Sequence, residues 1–161
     1  MVSPGTPRAR AVLVWPMLLA AAAVTIALDQ LTKQVALATL ADGPVDLIPG
    51  AVTFRLTFNP GGAFGLLQGL PGIFLPATLA VIVLILLWAR KLEDQGQAVP
   101  LGMVLGGGIG NVLDRLLRDG GRVVDFVDLH VWPIFNVADS AIVIGVAAVL
   151  ILSMRRPATE R

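Results

Sequence analysis

Two aspartates have the type and spacing to do chemistry together: Asp125 in VVDF and Asp139 in FNVADSAI, within fifteen residues of each other. Asp139 lies one residue, Ser140, ahead of the apolar run Ala141–Leu152, and Asp125 sits between Val124 and Phe126. A carboxylate at the edge of a membrane-length apolar segment is costly to keep, so it marks a functional site by default. If the two carboxyl groups meet, repulsion and desolvation raise one pKa and leave one proton shared between two acids. The ionised acid can then deprotonate a water while the protonated one polarises a peptide carbonyl. That is aspartic-protease chemistry, and it needs neither metal nor cysteine. The Asp-Thr-Gly signature of soluble aspartic proteases is absent, so such a pair would act at a membrane surface.

Composition supports that setting. The chain has 161 residues, about one domain, of which 56% are hydrophobic and only 14% charged. Soluble domains carry about 25% charged residues, so the deficit indicates an integral membrane protein. A net charge of +1 with no basic stripe gives no reason to expect a nucleic-acid partner. With no cysteine, disulfides, thiolate nucleophiles and cysteine-ligated metals are excluded. His130 is the single histidine, which rules out HExxH zinc chemistry. No metal site and no cofactor are expected.

The elements that must position the aspartates can be read in order. Arg8 and Arg10 precede the uncharged stretch Ala11–Leu28. This is longer than a signal-peptide core and lacks a small-residue cleavage site before Asp29, so it reads as a retained membrane helix with its basic end in the cytoplasm. Helices are expected at about 11–31, 71–89, 98–116 and 133–154, within a single membrane-embedded domain covering 1–161. Residues 34–58 alternate apolar and polar positions and read as short outer strands. FNPGGAFGLL (58–67) reads as a re-entrant stretch between helices one and two. In helix three the spacing of Gly102, Gly106 and Gly110 lets a neighbouring helix approach closely. The expected fold is therefore all-α and integral to the membrane. It has four transmembrane helices, both termini cytoplasmic, and a small extracytoplasmic portion containing β structure. Seven basic residues fall inside (Arg8, Arg10, Arg90, Lys91, Arg155, Arg156, Arg161) and five outside, a modest positive-inside bias.

In this topology polar groups from separate segments converge on one face. Helix one brings Asp29 and Lys33, the re-entrant stretch Asn59, helix three Asn111, Asp114 and Arg115, and helix four Asn136 and Asp139. Asp29 and Lys33, four apart on a helix, suit a simple ion pair as well as a functional role. Asp119 and Asp128 read as solvated loop charges outside the site.

Four ordered blocks give the chain a resemblance to a known family. DQLTK (29–33), NPGGAF (59–64), GGGIGNVLDR (106–115), and VVDF (123–126) with FNVADSAI (135–142) resemble the motifs of bacterial lipoprotein signal peptidases, the signal peptidase II family. The departures are Pro60 where a residue such as Thr is usual, and Gly62 and Gly108 where Ala is common. The 125–132 loop is also shorter than in many members, which implies a smaller cover over the site. The resemblance implies an intramembrane aspartic endopeptidase that removes signal peptides from diacylglyceryl-modified prolipoproteins, cutting just before the lipid-modified cysteine. It implies Asp125 and Asp139 as the catalytic residues. Asn59, Asn111, Arg115 and Asn136 would line the site and hold substrate. Asp29, Lys33, Gly61, Asp114 and Ala138 would support it. Phe64 and Trp132 would lie in its outer cover, where packing alone is role enough. The partners implied are the prolipoprotein substrate and membrane lipids. The enzyme would be a monomer in the bacterial cytoplasmic membrane, its active site near the extracytoplasmic face.

Three other readings compete. Intramembrane carboxylates also mark proton-coupled transporters, but the inner halves of the four expected helices lack ionisable groups. A serine–lysine protease would use Ser140 and Lys33. A non-catalytic scaffold would tolerate substitution of its charges.

Overall fold

The computed structural model describes residues 7–61, 73–92 and 95–155. Its elements run α1 (Pro7–Thr39), β1 (Val45–Ile48), β2 (Val52–Asn59), α2 (Phe74–Ala89), α3 (Ala98–Leu117), β3 (Val123–Asp128) and α4 (Val137–Met154). The strands form one antiparallel sheet in the order β1-β2-β3. Two helices, Leu13–Thr39 and Val137–Met154, are long and apolar enough to cross a membrane, with mean hydropathies of 1.6 and 2.3; Leu75–Ala89 is a shorter apolar helix. Their outward residues are apolar too: Leu19, Leu28 and Leu31 on α1, and Val143, Ile144 and Leu150 on α4, are all exposed. Bands of exposed leucine and isoleucine suit hydrocarbon rather than water.

α3 is the central helix and packs against α1, α2 and α4. Its glycines make this possible. A Cβ on Gly106 would stand 2.6 Å from the Ala22 carbonyl oxygen of α1, and one on Gly107 2.5 Å from the Ala138 carbonyl oxygen of α4. Bare backbone at these positions lets helices approach closely, which substitutes for the solvent-driven packing that lipid cannot supply. A core of Val14, Leu18, Ala22, Ile85, Leu101 and Leu105 with their neighbours fills the space between the helices. A second, smaller cluster joins the end of α1 to the sheet: Ala36, Leu40 and Phe126, with Phe54 and Val137 packed on them.

Several boundaries differ from those the pattern suggests. α1 continues to Thr39, through residues expected to begin the strands. Ala36 and Leu40 are buried against Phe126, and that packing outweighs the apparent alternation there. Beyond Thr39 the chain turns away through residues 40–42, and Gly43, which closes the turn, takes a positive φ. α4 starts at Val137 rather than near 133. Phe135 is instead held extended against β3, its N–H donating to the Val127 carbonyl at 3.1 Å. Asp125 lies in strand β3 and not in a loop. Asp128 is not solvated: it is 7% exposed, pairs with Arg55 at 3.5 Å and accepts the His130 N–H at 2.8 Å. Residues 62–72, which carry most of the expected re-entrant stretch and Phe64, lie outside the described residues.

Candidate active site

The end of the helix bundle that carries the sheet gathers the polar residues of every motif. Asp125 arrives on β3 and Asp139 in the first turn of α4. Asn136 is the N-cap between them. Its side-chain oxygen accepts the Asp139 N–H at 2.9 Å, and the Asp139 carboxylate accepts the Asn136 N–H at 3.3 Å. Such reciprocal capping satisfies two otherwise orphaned donors and fixes the first turn. The amide of Asn136 also donates to Asp125 Oδ1 at 2.7 Å. One fully buried side chain therefore touches both aspartates.

Each carboxylate has a second amide partner. Asn111 Nδ2 donates to Asp139 Oδ1 at 2.8 Å, and Asn59 Nδ2 donates to Asp125 Oδ2 at 2.9 Å. The Asn59 contact follows from strand register. Thr57 pairs with Asp125 and Asn59 with Val123, so Asn59 and Asp125 are diagonal neighbours on one face of the sheet. The Asn59 side-chain oxygen accepts the Gly61 N–H at 2.8 Å, which orients the amide toward Asp125. Asp125 is 1% exposed. Burial, and then the neighbouring Asp139 charge, push its carboxyl up from the ordinary 3.8 to about 7; the Asn59 and Asn136 hydrogen bonds and the Lys33 charge act in the opposite direction.

Beneath the two aspartates lies a buried charge cluster. The Lys33 ammonium is fully enclosed and has three partners: Asp29 Oδ2 at 2.8 Å, Asp114 Oδ2 at 2.9 Å and Asn111 Oδ1 at 3.0 Å. Asp29 Oδ1 accepts the Ala138 N–H at 3.0 Å, and Asp114 Oδ2 accepts the Val124 N–H at 3.0 Å. Arg118 holds Asp114 Oδ1 from the surface at 2.9 Å. Gln30 also belongs to this cluster, donating to Asp29, to Asp114 and to the Gly110 carbonyl. Its place inside DQLTK was the only signal for it in the sequence.

The remaining expected site residues sit around this centre. Arg115 donates to the Asn111 carbonyl at 3.2 Å, its buried Nε has no hydrogen-bond partner among the described residues, and it interacts electrostatically with Asp139 and Asp125. It faces a cavity of about 490 Å³ shared with Phe58, Pro60, Leu75 and Arg122. Trp132 is exposed and lines a largely apolar groove of about 330 Å³ with Leu129, Phe135, Val143 and Ile144, and Asp139 is also in its lining. The structure does not pair Ser140 with Lys33: the serine hydroxyl donates to the Asn136 carbonyl at 3.1 Å, and all three lysine contacts are accounted for above.

Two buried, amide-held carboxylates at one end of a membrane-type bundle are an arrangement that suits a membrane peptidase. Comparison with known proteins makes the assignment specific. Residues 21–155 match the family model described as "Signal peptidase (SPase) II". A lipoprotein signal peptidase of Rhodococcus jostii is 40% identical over 143 residues, covering 86% of this chain and 72% of the relative. One from Chlorobium phaeobacteroides is 40% identical over 151 residues, covering 84% and 93%. Among solved structures, a bacterial membrane enzyme determined by the in meso method superposes with a TM-score of 0.78 at 27% identity, over 89% of this chain and 91% of that one. The chain belongs to the signal peptidase II family and is a peptidase.

Proposed function

We propose that the protein removes signal peptides from diacylglyceryl-modified prolipoproteins, cutting just before the lipid-modified cysteine with water activated by Asp125 and Asp139. The observation that carries this reading is the Asn136 side chain, which contacts both aspartates and holds them in one buried site. The pair enters catalysis with one proton between its two carboxyl groups, titrating as a unit. The ionised acid takes a proton from the attacking water as its oxygen bonds to the scissile carbon. The other gives its proton to the carbonyl oxygen, forming a gem-diol. Collapse of that diol breaks the C–N bond. The acid that took the water proton delivers it to the leaving amine. The other, now ionised, takes a proton from a diol hydroxyl as the C=O bond re-forms, so the pair again holds one proton. Asn59, Asn111 and Asn136 keep the carboxylates aimed through these transfers, and Arg115 offers substrate backbone its Nε–H, which has no partner among the described residues.

The setting we propose is the bacterial cytoplasmic membrane, crossed four times, with both termini cytoplasmic and the site near the extracytoplasmic face. A signal peptide is an apolar helix whose cleavage point emerges at that depth. The groove beside Trp132 is lined by Asp139, Ser140, Val143 and Ile144 of α4 and is mostly apolar, which suits a substrate that stays in the bilayer. The protein acts as a monomer and without a cofactor.

The test uses the purified protein in lipid or detergent with a diacylglyceryl-modified prolipoprotein, cleavage being followed by gel shift. Asp125→Asn and Asp139→Asn are expected to fold and to lose at least about 100-fold in rate, the scale of general acid–base catalysis. If both asparagine variants still cut, the dyad is wrong. If the unaltered protein ignores the lipidated substrate but cuts the unmodified one, the substrate class is wrong.

A further inference from the structure

The Lys33 cluster touches neither cavity at the site, yet it is connected to both aspartates by a regular pattern. Asp29 holds the N–H of Ala138, the residue immediately before Asp139. Asp114 holds the N–H of Val124, the residue immediately before Asp125. The two gripping carboxylates come from different helices and are joined by the Lys33 ammonium, at 2.8 and 2.9 Å, with the neutral Gln30 amide making longer contacts to both, at 3.2 and 3.1 Å. The third lysine proton goes to Asn111 Oδ1. A cation at that oxygen dictates which way the amide faces, so Nδ2 must point to Asp139, where it donates at 2.8 Å.

Resting on the aspartic-dyad reading above, we propose that Lys33 is a positioning residue that sets the spacing of Asp125 and Asp139. It locks together the two carboxylates that hold the backbone just before each of them. An ion pair serving only to fasten α1 to α3 would need one acceptor. Here all three protons are used, on three groups that each lead by one further hydrogen bond to a dyad residue or its neighbour. Near-attack geometry is steep in distance: a displacement of about 1 Å can cost about 100-fold in rate.

Lys33→Met alone leaves Asp29 and Asp114 buried and uncompensated, a strongly destabilising arrangement, whereas replacing a whole buried ionic group with neutral residues is often tolerated. The informative variant is therefore the triple Lys33→Met/Asp29→Asn/Asp114→Asn, in which each asparagine can still accept its backbone N–H. It would be compared with the unaltered protein and with Arg118→Gln, which removes a partner of Asp114 but leaves the bridge intact. Thermal unfolding, kcat and KM would be measured on the full chain in lipid. The expected result is a triple variant that folds, keeps KM within about threefold and loses about 100-fold in kcat, while Arg118→Gln keeps kcat within about threefold. A triple variant that folds and turns over normally overturns the proposal, since recovered folding would then be sufficient. A triple variant that does not fold also overturns it, because the cluster would be a requirement of the fold itself. Loss of kcat in Arg118→Gln equal to that of the triple would remove the special role of the bridge. Asp125→Asn and Asp139→Asn run in the same assay separate the two ideas: if they are active, the dyad reading has failed; if they are inactive while the triple is active, only the positioning role has.

Discussion

Asp125 should make the folded protein less stable as pH rises, and its amide variant should remove that trend. In the fold the carboxyl keeps its proton up to about 7, against an ordinary 3.8, because it is buried and faces Asp139. Between those values the folded chain binds a proton that the unfolded chain has lost. The stabilisation is therefore fully present below about pH 4 and is lost as pH rises through about 7. At about 1.4 kcal/mol per tenfold change in acid constant, the whole effect is at most about 4 kcal/mol. Asp125→Asn cannot titrate, but it turns an amide N–H₂ toward one of the two donor amides, Asn59 or Asn136, and forfeits about 1 kcal/mol. The variant should then be less stable than the native chain at pH 4 and more stable at pH 8 by about 3 kcal/mol, with the two curves crossing between about pH 4 and 6. A chain of this size shifts its melting temperature by about 2–4 °C per kcal/mol, so the pH 8 difference is roughly 6–12 °C. Differential scanning fluorimetry of both proteins in one detergent, from pH 4 to 8, measures it. If the difference in melting temperature does not change sign, or if the native chain gains on the variant as pH rises, Asp125 is not held protonated by its surroundings.

The same titration governs activity: with one proton needed on the pair, cleavage should fall as pH rises through about 7, and Asn59→Ala should move that limb to higher pH by withdrawing a hydrogen bond that favours the ionised form. A pH–rate profile of kcat/KM checks both, and an unmoved limb in Asn59→Ala would refute the assignment. Two neighbouring glycines should respond in opposite ways. Gly108→Ala places its Cβ 3.5 Å from Ile82 Cγ1, an ordinary contact, and should raise stability by about 0.5–1 kcal/mol through helix propensity. Gly106→Ala drives its Cβ to within 2.6 Å of the Ala22 carbonyl oxygen, and should cost about 1–3 kcal/mol and lower activity as α1 moves away from Asn111 and Asp114. Thermal melts of the two variants, with cleavage rates alongside, test this contrast. Ser140→Ala should retain activity within about threefold, because its hydroxyl only donates back to the Asn136 carbonyl, a bond worth about 1 kcal/mol at most; loss of cleavage there would revive a serine nucleophile.

Much of this protein is determined by local sequence. The charge deficit and the apolar runs dictate a membrane-type bundle, since uninterrupted apolar stretches have few stable alternatives. The glycine spacing of α3 identifies the helix that others approach closely, because the absence of a side chain is a property of the residue itself. The polar residues of the site could also be named, as they are isolated in DQLTK, GNVLDR and FNVADS against apolar surroundings.

What spacing could not supply is direction and partnership. Asp29 and Lys33 read equally as a helix-surface ion pair, and only packing of α1 on α3 and α4 encloses them and gives Lys33 its partners Asp114 and Asn111. Asp128 looked solvated because its neighbours in sequence are loop-like, but strand pairing brings Arg55 over it. The end of α1 and the start of α4 are not legible locally because each is set by contacts with β3, through Phe126 and Val127. Asn59 meets Asp125 only through the register of β2 on β3. Hydrogen bonds and ion pairs between distant segments depend on distances of a few tenths of an ångström, and such distances exist only once the backbone is folded.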